Sequence, residues 1–536
     1  MWDVFEMTEL GNENLTESSQ DLLGVEDNQV SEASVFKDFY PVKPPFGFAG
    51  IQINDDTGKI TYVPVEPTLN ELEVQILEDL KENIIERMDI PLSVLRDESV
   101  MEGFLSEQIN LAFKRFKRQV APESEKKFIY YLMRDFLGYG KIDLMMRDPK
   151  IEDISCNGVD TPLYVWHQSF ESISTNIKYS SKKELDKIVT RLAYKAGHQI
   201  SVAHPIMEGT LPEGYRVHLT LDEVSKRGDT FTIRKYRTNP FTIVDLIKLG
   251  TLNSRLAAYL WVLVDNLRSI MICGATASGK TALLNSICTF INPDYKVVTI
   301  EEVRELRLHD NWIPMVTRPS FQPGVQEVNT FDLLKSSLRQ RPDYLIVGEV
   351  RGEEAYTLFQ SIATGHGGLC TIHADSIKSV IKRLLSRPMN IPEMMLPLMN
   401  VLIQLRRVKI GSQVSRRIVT VAEITGVPLA RAAQGEEAVQ VQNRFEWNVE
   451  DDSYIEKNPS DLDILLEEGE DLYSQISKIK HIPVEKLGEE QRRRETVLDW
   501  MCYKNISSYE EVADVVRNYY LNPDEVYNAA RLGSSR

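Results

Sequence analysis

At 536 residues the chain exceeds what one hydrophobic core serves, so roughly two to four domains are expected and size alone calls for no disulfide or metal staple. With 42% hydrophobic and 26% charged residues it is too apolar for wholesale disorder. Its net charge of -17 argues against a surface that grips nucleic acid or anionic lipid throughout, though a local basic groove remains compatible with it.

Residues 1 to about 35 are acidic and Ser/Asn/Glu-rich, which predicts a weakly ordered tail; no Lys or Arg precedes Lys37, so no export signal is expected. Tyr40-Pro-Val-Lys-Pro-Pro is too proline-rich for a helix and predicts an extended arm, giving a first segment of 1–66. Apolar residues at three- and four-residue spacing predict helices over Leu69 to Met88, Glu102 to Val120 and Glu123 to Leu137, a helical subdomain at 67–140 ending in Gly138-Tyr-Gly140. Residues 141–240 mix β-rich segments (Thr161 to Trp166, Arg216 to Thr220, Thr230 to Ile233) with a helix near Lys182 to Ala196, an α+β module closed by a Thr238-Asn-Pro-Phe linker. From 241 to 430 short apolar strands alternate with helices, the pattern of a mostly parallel sheet covered on both faces. The apolar run Leu256 to Ile272 is broken by Asp265 and Arg268, so no membrane span is expected. Residues 431–536 begin polar, pass an acidic run at Asp461 to Asp471 and end in helical periodicity from Val484 to Ala530. The cysteines are scattered without ligand-like spacing, which suits a reducing compartment.

Four segments carry chemistry. Gly274-Ala275-Thr276-Ala277-Ser278-Gly279-Lys280-Thr281 is a full G-x-x-x-x-G-K-[ST] match between an apolar strand and a helix. Its glycines let backbone N–H groups curl around phosphates, Lys280 reaches the β- and γ-phosphates, and the Thr281 hydroxyl suits Mg²⁺. Arg341-Pro-Asp-Tyr-Leu-Ile-Val-Gly-Glu349 is an apolar strand ending in an acid suited to hold the metal through water, although apolar runs ending in Glu are common as plain structure. Lys296-Val-Val-Thr-Ile-Glu301-Glu302 delivers two carboxylates to a strand end; one of them can act on the attacking water, or both are simply solvated. His366 and His373 lie in one Gly-rich stretch, where a histidine near a γ-phosphate would sense it and a satisfied, half-buried histidine would not.

Together GATASGKT, TIEEVREL, RPDYLIVGEVRGEEA and ATGHGGLCTIHADS resemble the Walker A, acidic, Walker B and His boxes of the secretion ATPase superfamily, which drives type II and type IV secretion, type IV pili and archaella. Ile151-Glu-Asp-Ile-Ser-Cys-Asn-Gly158, Leu211-Pro-Glu-Gly-Tyr-Arg216 and Phe231-Thr-Ile-Arg234 look like its second N-terminal domain. Tyr62-Val-Pro-Val-Glu-Pro, Arg444-Phe-Glu-Trp and Arg494-Glu-Thr-Val-Leu-Asp-Trp-Met look like the archaeal branch, and the four-cysteine zinc module usual in bacterial relatives is lacking from the sequence. The resemblance implies an α/β fold: a RecA-like P-loop ATPase core, an α+β N-terminal domain, a helical N-terminal subdomain and a mainly helical C-terminal extension.

It also implies ATP and Mg²⁺ as cofactors, with Glu301 polarising water ahead of its rival Glu302, Glu349 and Thr281 serving the metal, and His373 ahead of His366 as phosphate sensor. Arg216 and Arg234 would act on the triphosphate, within or across subunits. The implied partners are a homo-hexamer, a polytopic membrane platform protein and pilin-like or archaellin filament machinery, at the inner face of the cell membrane; nucleic acid is not expected. The rivals are a RecA-like nucleic-acid translocase, for which the basic Lys114-Arg-Phe-Lys-Arg118 speaks and the overall acidity does not, and a scaffold that binds ATP without turnover.

Overall fold

A computed structural model of the chain describes residues 36–86, 103–107, 109, 111, 122–235, 240–318, 326–411, 413–426, 439–457 and 471–533. The expected acidic tail, the basic stretch Lys114 to Arg118, Thr238 and Asn239 of the linker, and the acidic run up to residue 470 lie outside them. The chain forms two compact units, Met1–Thr238 and Asn239–Arg536.

In the first unit the described residues include β1 (Phe36–Lys43), β2 (Gly47–Ile53), β3 (Ile60–Val65), β4 (Ile151–Cys156), β5 (Pro162–His167), β6 (Glu171–Lys178), β7 (Ile206–Thr210), β8 (Arg216–Thr220) and β9 (Thr230–Arg234). They form one sheet in the order β1-β2-β3-β6-β5-β4-β9-β8-β7, antiparallel throughout except where β3 runs parallel to β6. The expected proline-rich arm is therefore strand: residues 36–65 extend the same sheet as the α+β module. The phenols of Tyr40 on β1 and Tyr62 on β3 both donate to the buried Asp148 carboxylate at 2.8 Å, tying the added strands to the rest. Helices α1 (Glu71–Glu86) and α2 (Pro122–Phe136) share a small core of their own, with Ile76, Leu80, Phe128 and Leu132 inside it. Helix α3 (Lys182–Lys195) starts at Ser181, whose hydroxyl accepts from the Glu184 N–H, and lays Leu185, Ile188, Val189 and Leu192 on the sheet at helical spacing.

The second unit holds α4 (Ser254–Asp265), β10 (Ile270–Gly274), α5 (Lys280–Cys288), β11 (Val297–Glu301), β12 (Trp312–Val316), α6 (Thr330–Ser337), β13 (Tyr344–Val350), α7 (Glu354–Ala363), β14 (Gly367–His373), α8 (Ile377–Leu385), β15 (Val401–Ile410), β16 (Gln413–Gly426), β17 (Val439–Asn448) and β18 (Ser453–Glu456). Helices α9 (Leu472–Lys480), α10 (Val484–Tyr503), α11 (Tyr509–Leu521) and α12 (Pro523–Gly533) follow. The sheet order is β12-β11-β13-β14-β10-β15-β16-β17-β18, parallel as far as β15 and antiparallel beyond. This is the RecA-like core: β14 lies between the strand that leads into the glycine-rich loop and the strand that carries Glu349.

Successive side chains of β10 enter opposite layers. Ile270 and Ile272 pack with α4, α5 and the C-terminal helices, whereas Met271 and Cys273 pack with α6, α7 and α8. Helix α4 buries every residue but Arg255 and Asp265, because sheet lies on one side of it and α10 and α11 on the other. Its apolar run is thus a buried helix, and no helix among the described residues is long and apolar enough to cross a membrane. The edge expected at residue 430 falls between two hydrogen-bonded strands, since β17 and β18 continue the sheet before the helical extension begins.

Candidate active site

The glycine-rich loop leaves β10 at Gly274 and enters α5 at Lys280. A Cβ at Gly274 would meet Ser278 Oγ at 2.5 Å and the Leu405 carbonyl at 2.6 Å, so only glycine lets the loop close over β15. Gly279 turns the chain into the helix with φ +94 and no side-chain cap, which leaves the N–H groups of the first turn to an anion. Lys280 is buried, and its ammonium donates to the carbonyls of Gly274 (3.1 Å) and Ala275 (3.0 Å) inside the curve. Burial lowers its pKa, with the Glu349 carboxylate acting in the opposite sense. The Ser278 hydroxyl is buried with no hydrogen-bond partner. An uncapped helix start, a curled-in ammonium and a buried unpartnered hydroxyl are the donors that phosphate oxygens require, so residues 274–281 fit a nucleoside triphosphate. Thr281 is half-buried in the first turn of α5.

The neighbouring strands bring the acids and one histidine to this edge. His373, last residue of β14, pairs in register with Gly274. Its Nδ1 lies 3.4 Å from Lys280 Nζ and its Nε2 lies 3.2 Å from Glu349 Oε1. A ring nitrogen facing an ammonium accepts and one facing a carboxylate donates, so the geometry selects the neutral Nε2–H tautomer. Burial, then the charge of Lys280, lowers the imidazole pKa, in keeping with the neutral ring. The register of β13 against β14 slips between Val347 and Val350, a bulge that re-aims Glu349 next to the site. Burial alone would raise the Glu349 carboxyl, but the hydrogen bond and charge of Arg351, with His373 and Lys280 behind, hold it below its ordinary value.

The two acids, Glu301 at the end of β11 and Glu302 just after it, face different surroundings. Glu301 is buried: Oε1 accepts from the N–H groups of Glu305 (2.9 Å) and Leu306 (3.0 Å), and Oε2 has no partner. Burial outweighs those two bonds and pushes its pKa up to about 7. Glu302 is exposed, and its Oε1 accepts from Arg351 at 2.6 Å.

One expected site residue stands at the opposite edge of the same sheet, and two belong to the other unit. His366 immediately precedes β14 at the amino edge of the sheet, so a rise of seven residues, roughly 23 Å at 3.3 Å each, separates it from His373. Its Nδ1 sits 2.9 Å from the Ser361 carbonyl and 3.0 Å from Thr364 Oγ1, closing the end of α7, and it is not brought to the loop. Arg216 and Arg234 belong to the first unit, directly opposite each other on β8 and β9; Arg216 pairs with Glu208 and Arg234 with Asp153, both at 3.0 Å. Each arginine carries its own acid, which offsets the repulsion expected of like charges facing across strands.

Two residues at this edge were not foreseen. Arg351 was in plain view two positions beyond Glu349, yet nothing in its spacing says that its guanidinium spans two carboxylates. Arg416, on β16, sets Nε 3.4 Å from the Ala277 carbonyl and packs over Gly279; the only sequence signal was the run of arginines at 406–407 and 416–417.

The family described as type II/IV secretion system protein matches residues 146–475. An uncharacterized protein of Methanocaldococcus jannaschii is 33% identical over 504 residues, covering 90% of this chain and 88% of its own. A second from the same organism is 46% identical over 211 residues, covering 39% of this chain and 76% of its own. Among solved structures, the VirB11 ATPase of the Brucella suis type IV secretion system is 25% identical and covers 51% of this chain and 89% of its own, with a TM-score of 0.27.

Proposed function

We propose, from the premise that this chain belongs to the type II/IV secretion system protein family, that it hydrolyses ATP with Mg²⁺ and, as a homo-hexamer, drives assembly of a pilus-like filament, archaellum or archaeal pilus, or related secretion through a membrane platform protein. The observation that carries the enzymatic part is the chain of contacts from Lys280 through His373 to Glu349, beside an uncapped helix start at the carboxyl edge of a parallel sheet.

Lys280 exchanges the carbonyls of Gly274 and Ala275 for phosphate oxygens, and residues 275–279 add backbone N–H donors. Glu349 and Thr281 would hold the metal. Magnesium, when bound, supplies Lewis acidity at the phosphate oxygens. Glu301 takes the proton of the attacking water: one oxygen is fixed by two backbone N–H groups, the other is unpartnered, and a pKa near 7 lets it both ionise and accept. His373, neutral and anchored on Glu349, donates to the γ-phosphate or keeps to Glu349, and so reports which nucleotide is bound. Arg216 and Arg234 leave Glu208 and Asp153 for the triphosphate when the first unit is drawn onto the second, within a subunit or across a boundary. Repeated around a ring, that movement becomes work on the platform, which places the protein at the inner face of the membrane.

The test is phosphate release by the purified chain with Mg²⁺, with and without single-stranded DNA. Wild type is expected to turn over and Lys280→Ala to lose at least about a hundredfold. Equal release by both would point to a scaffold, and several-fold stimulation by DNA would point to a translocase.

A further inference from the structure

Arg351 is built into the site more firmly than an exposed arginine usually is. Its guanidinium forks, Nη2 donating to Glu349 Oε2 at 2.7 Å and Nη1 to Glu302 Oε1 at 2.6 Å. The backbone beneath it is clamped as well, since Glu354 Oε1 accepts from the N–H groups of both Arg351 (2.5 Å) and Gly352 (2.7 Å) at the start of α7. The position from which the side chain departs is therefore fixed by the helix it precedes, and the fork is a defined geometry. Glu349 thus has a cation on each carboxylate oxygen's side: Arg351 on Oε2 and, through the imidazole of His373 on Oε1, Lys280 beyond.

A divalent ion held by Glu349, directly or through water, would meet a carboxylate whose Oε2 already accepts from Arg351 and whose Oε1 already faces His373. Both cations answer the same negative charge, and a carboxylate oxygen tied to a guanidinium is a poorer ligand than one that is not. We propose that Arg351 is a positioning residue that competes with the metal for Glu349, and that Glu302 is the second anchor which draws the guanidinium away when the metal arrives. This rests on the nucleotide reading above and deepens it: the acidic pair at residues 301–302 divides its labour, Glu301 acting on water and Glu302 acting on Arg351. The exchange moves no covalent bond. One ion pair, Arg351 to Glu349, is replaced by another, and Arg351 to Glu302 persists.

The two ends of the fork make opposite predictions, which separates competition from simple damage. Nucleotide binding by the full chain is measured by fluorescence of a labelled ADP while Mg²⁺ is titrated, with EDTA controls, for wild type, Arg351→Ala and Glu302→Gln. The Arg351→Ala chain is expected to need about two- to fivefold less Mg²⁺ for half-maximal effect, the range that an exposed ion pair supports. Glu302→Gln leaves Arg351 on Glu349 alone and is expected to need more Mg²⁺ by a similar factor. Binding in EDTA gives each variant its own metal-free baseline, against which its Mg²⁺ shift is read. If both substitutions raise the requirement, or neither moves it, Arg351 is an ordinary surface pair and the inference is overturned. Should Arg351→Ala fail to fold, Arg351→Lys, which keeps the charge but loses the fork, is expected to lower the requirement by less, and no shift there would also overturn it. Wild type that binds no nucleotide under any condition would overturn the nucleotide reading itself, and this inference with it.

Discussion

Strand β14 has a histidine at each end, and the two are put to different uses. His373 leaves the carboxyl edge of the sheet between an ammonium and a carboxylate; His366, one strand length away, closes a helix on a backbone carbonyl. Residue type and sequence neighbourhood are shared, so neither distinguishes them. What does is the direction of the parallel strands, because the carboxyl ends of β10, β13 and β14 meet at the helix start after Gly279, whereas His366 stands at the amino end of β14. A different contrast separates Glu301 and Glu302 at one and the same edge: Glu301, the last residue of β11, is buried, and Glu302, the next residue, is exposed.

The sharpest way to break this picture is at the carboxyl edge. Glu301→Gln is expected to cut turnover by about 10² to 10⁴ with nucleotide binding retained. Because burial raises the Glu301 pKa to about 7 and only the ionised carboxylate accepts a proton, wild-type kcat should climb as pH rises through about 7. In the Gln variant that limb should vanish from the pH–rate profile; an unchanged profile would return the role to Glu302. A smaller effect is expected for His373→Ala, about ten- to hundredfold in kcat for the loss of a hydrogen bond to a charged group. His366→Ala should be the smallest, with kcat within about twofold and a stability loss of about 0.5 to 1.5 kcal/mol, read from urea midpoints, for the freed end of α7. Equal kinetic losses at the two histidines would erase the distinction between the edges.

The glycine-rich loop was legible in the sequence because its demands are local: a left-handed glycine, a strand before it and a helix after it lie within some twenty residues. So was the alternation of strands and helices from Ile270 to His373, since buried parallel strands read as continuous apolar runs. Less visible was anything set by partners distant in sequence. Residues 36–65 read as a proline-rich arm, and they became strands because β3 found β6 more than a hundred residues later and Asp148 took the phenols of Tyr40 and Tyr62. Strands β17 and β18 are hidden inside a polar stretch because pairing, β17 with β16 and β18 with β17, and not their own composition, makes them part of the sheet. The role of Arg351 is hidden for a related reason: it depends on Glu302, 49 residues away in sequence, being brought beside Glu349.

The most direct trial of the central claim is calorimetric titration of ATP, with Mg²⁺ present, into the purified chain and into Lys280→Ala. One nucleotide per chain is predicted for wild type, with affinity lower by about tenfold or more, at least 1.4 kcal/mol, in the variant. Wild type that takes up no nucleotide, or a variant that binds as tightly as wild type, would contradict the claim that residues 274–281 grip a triphosphate.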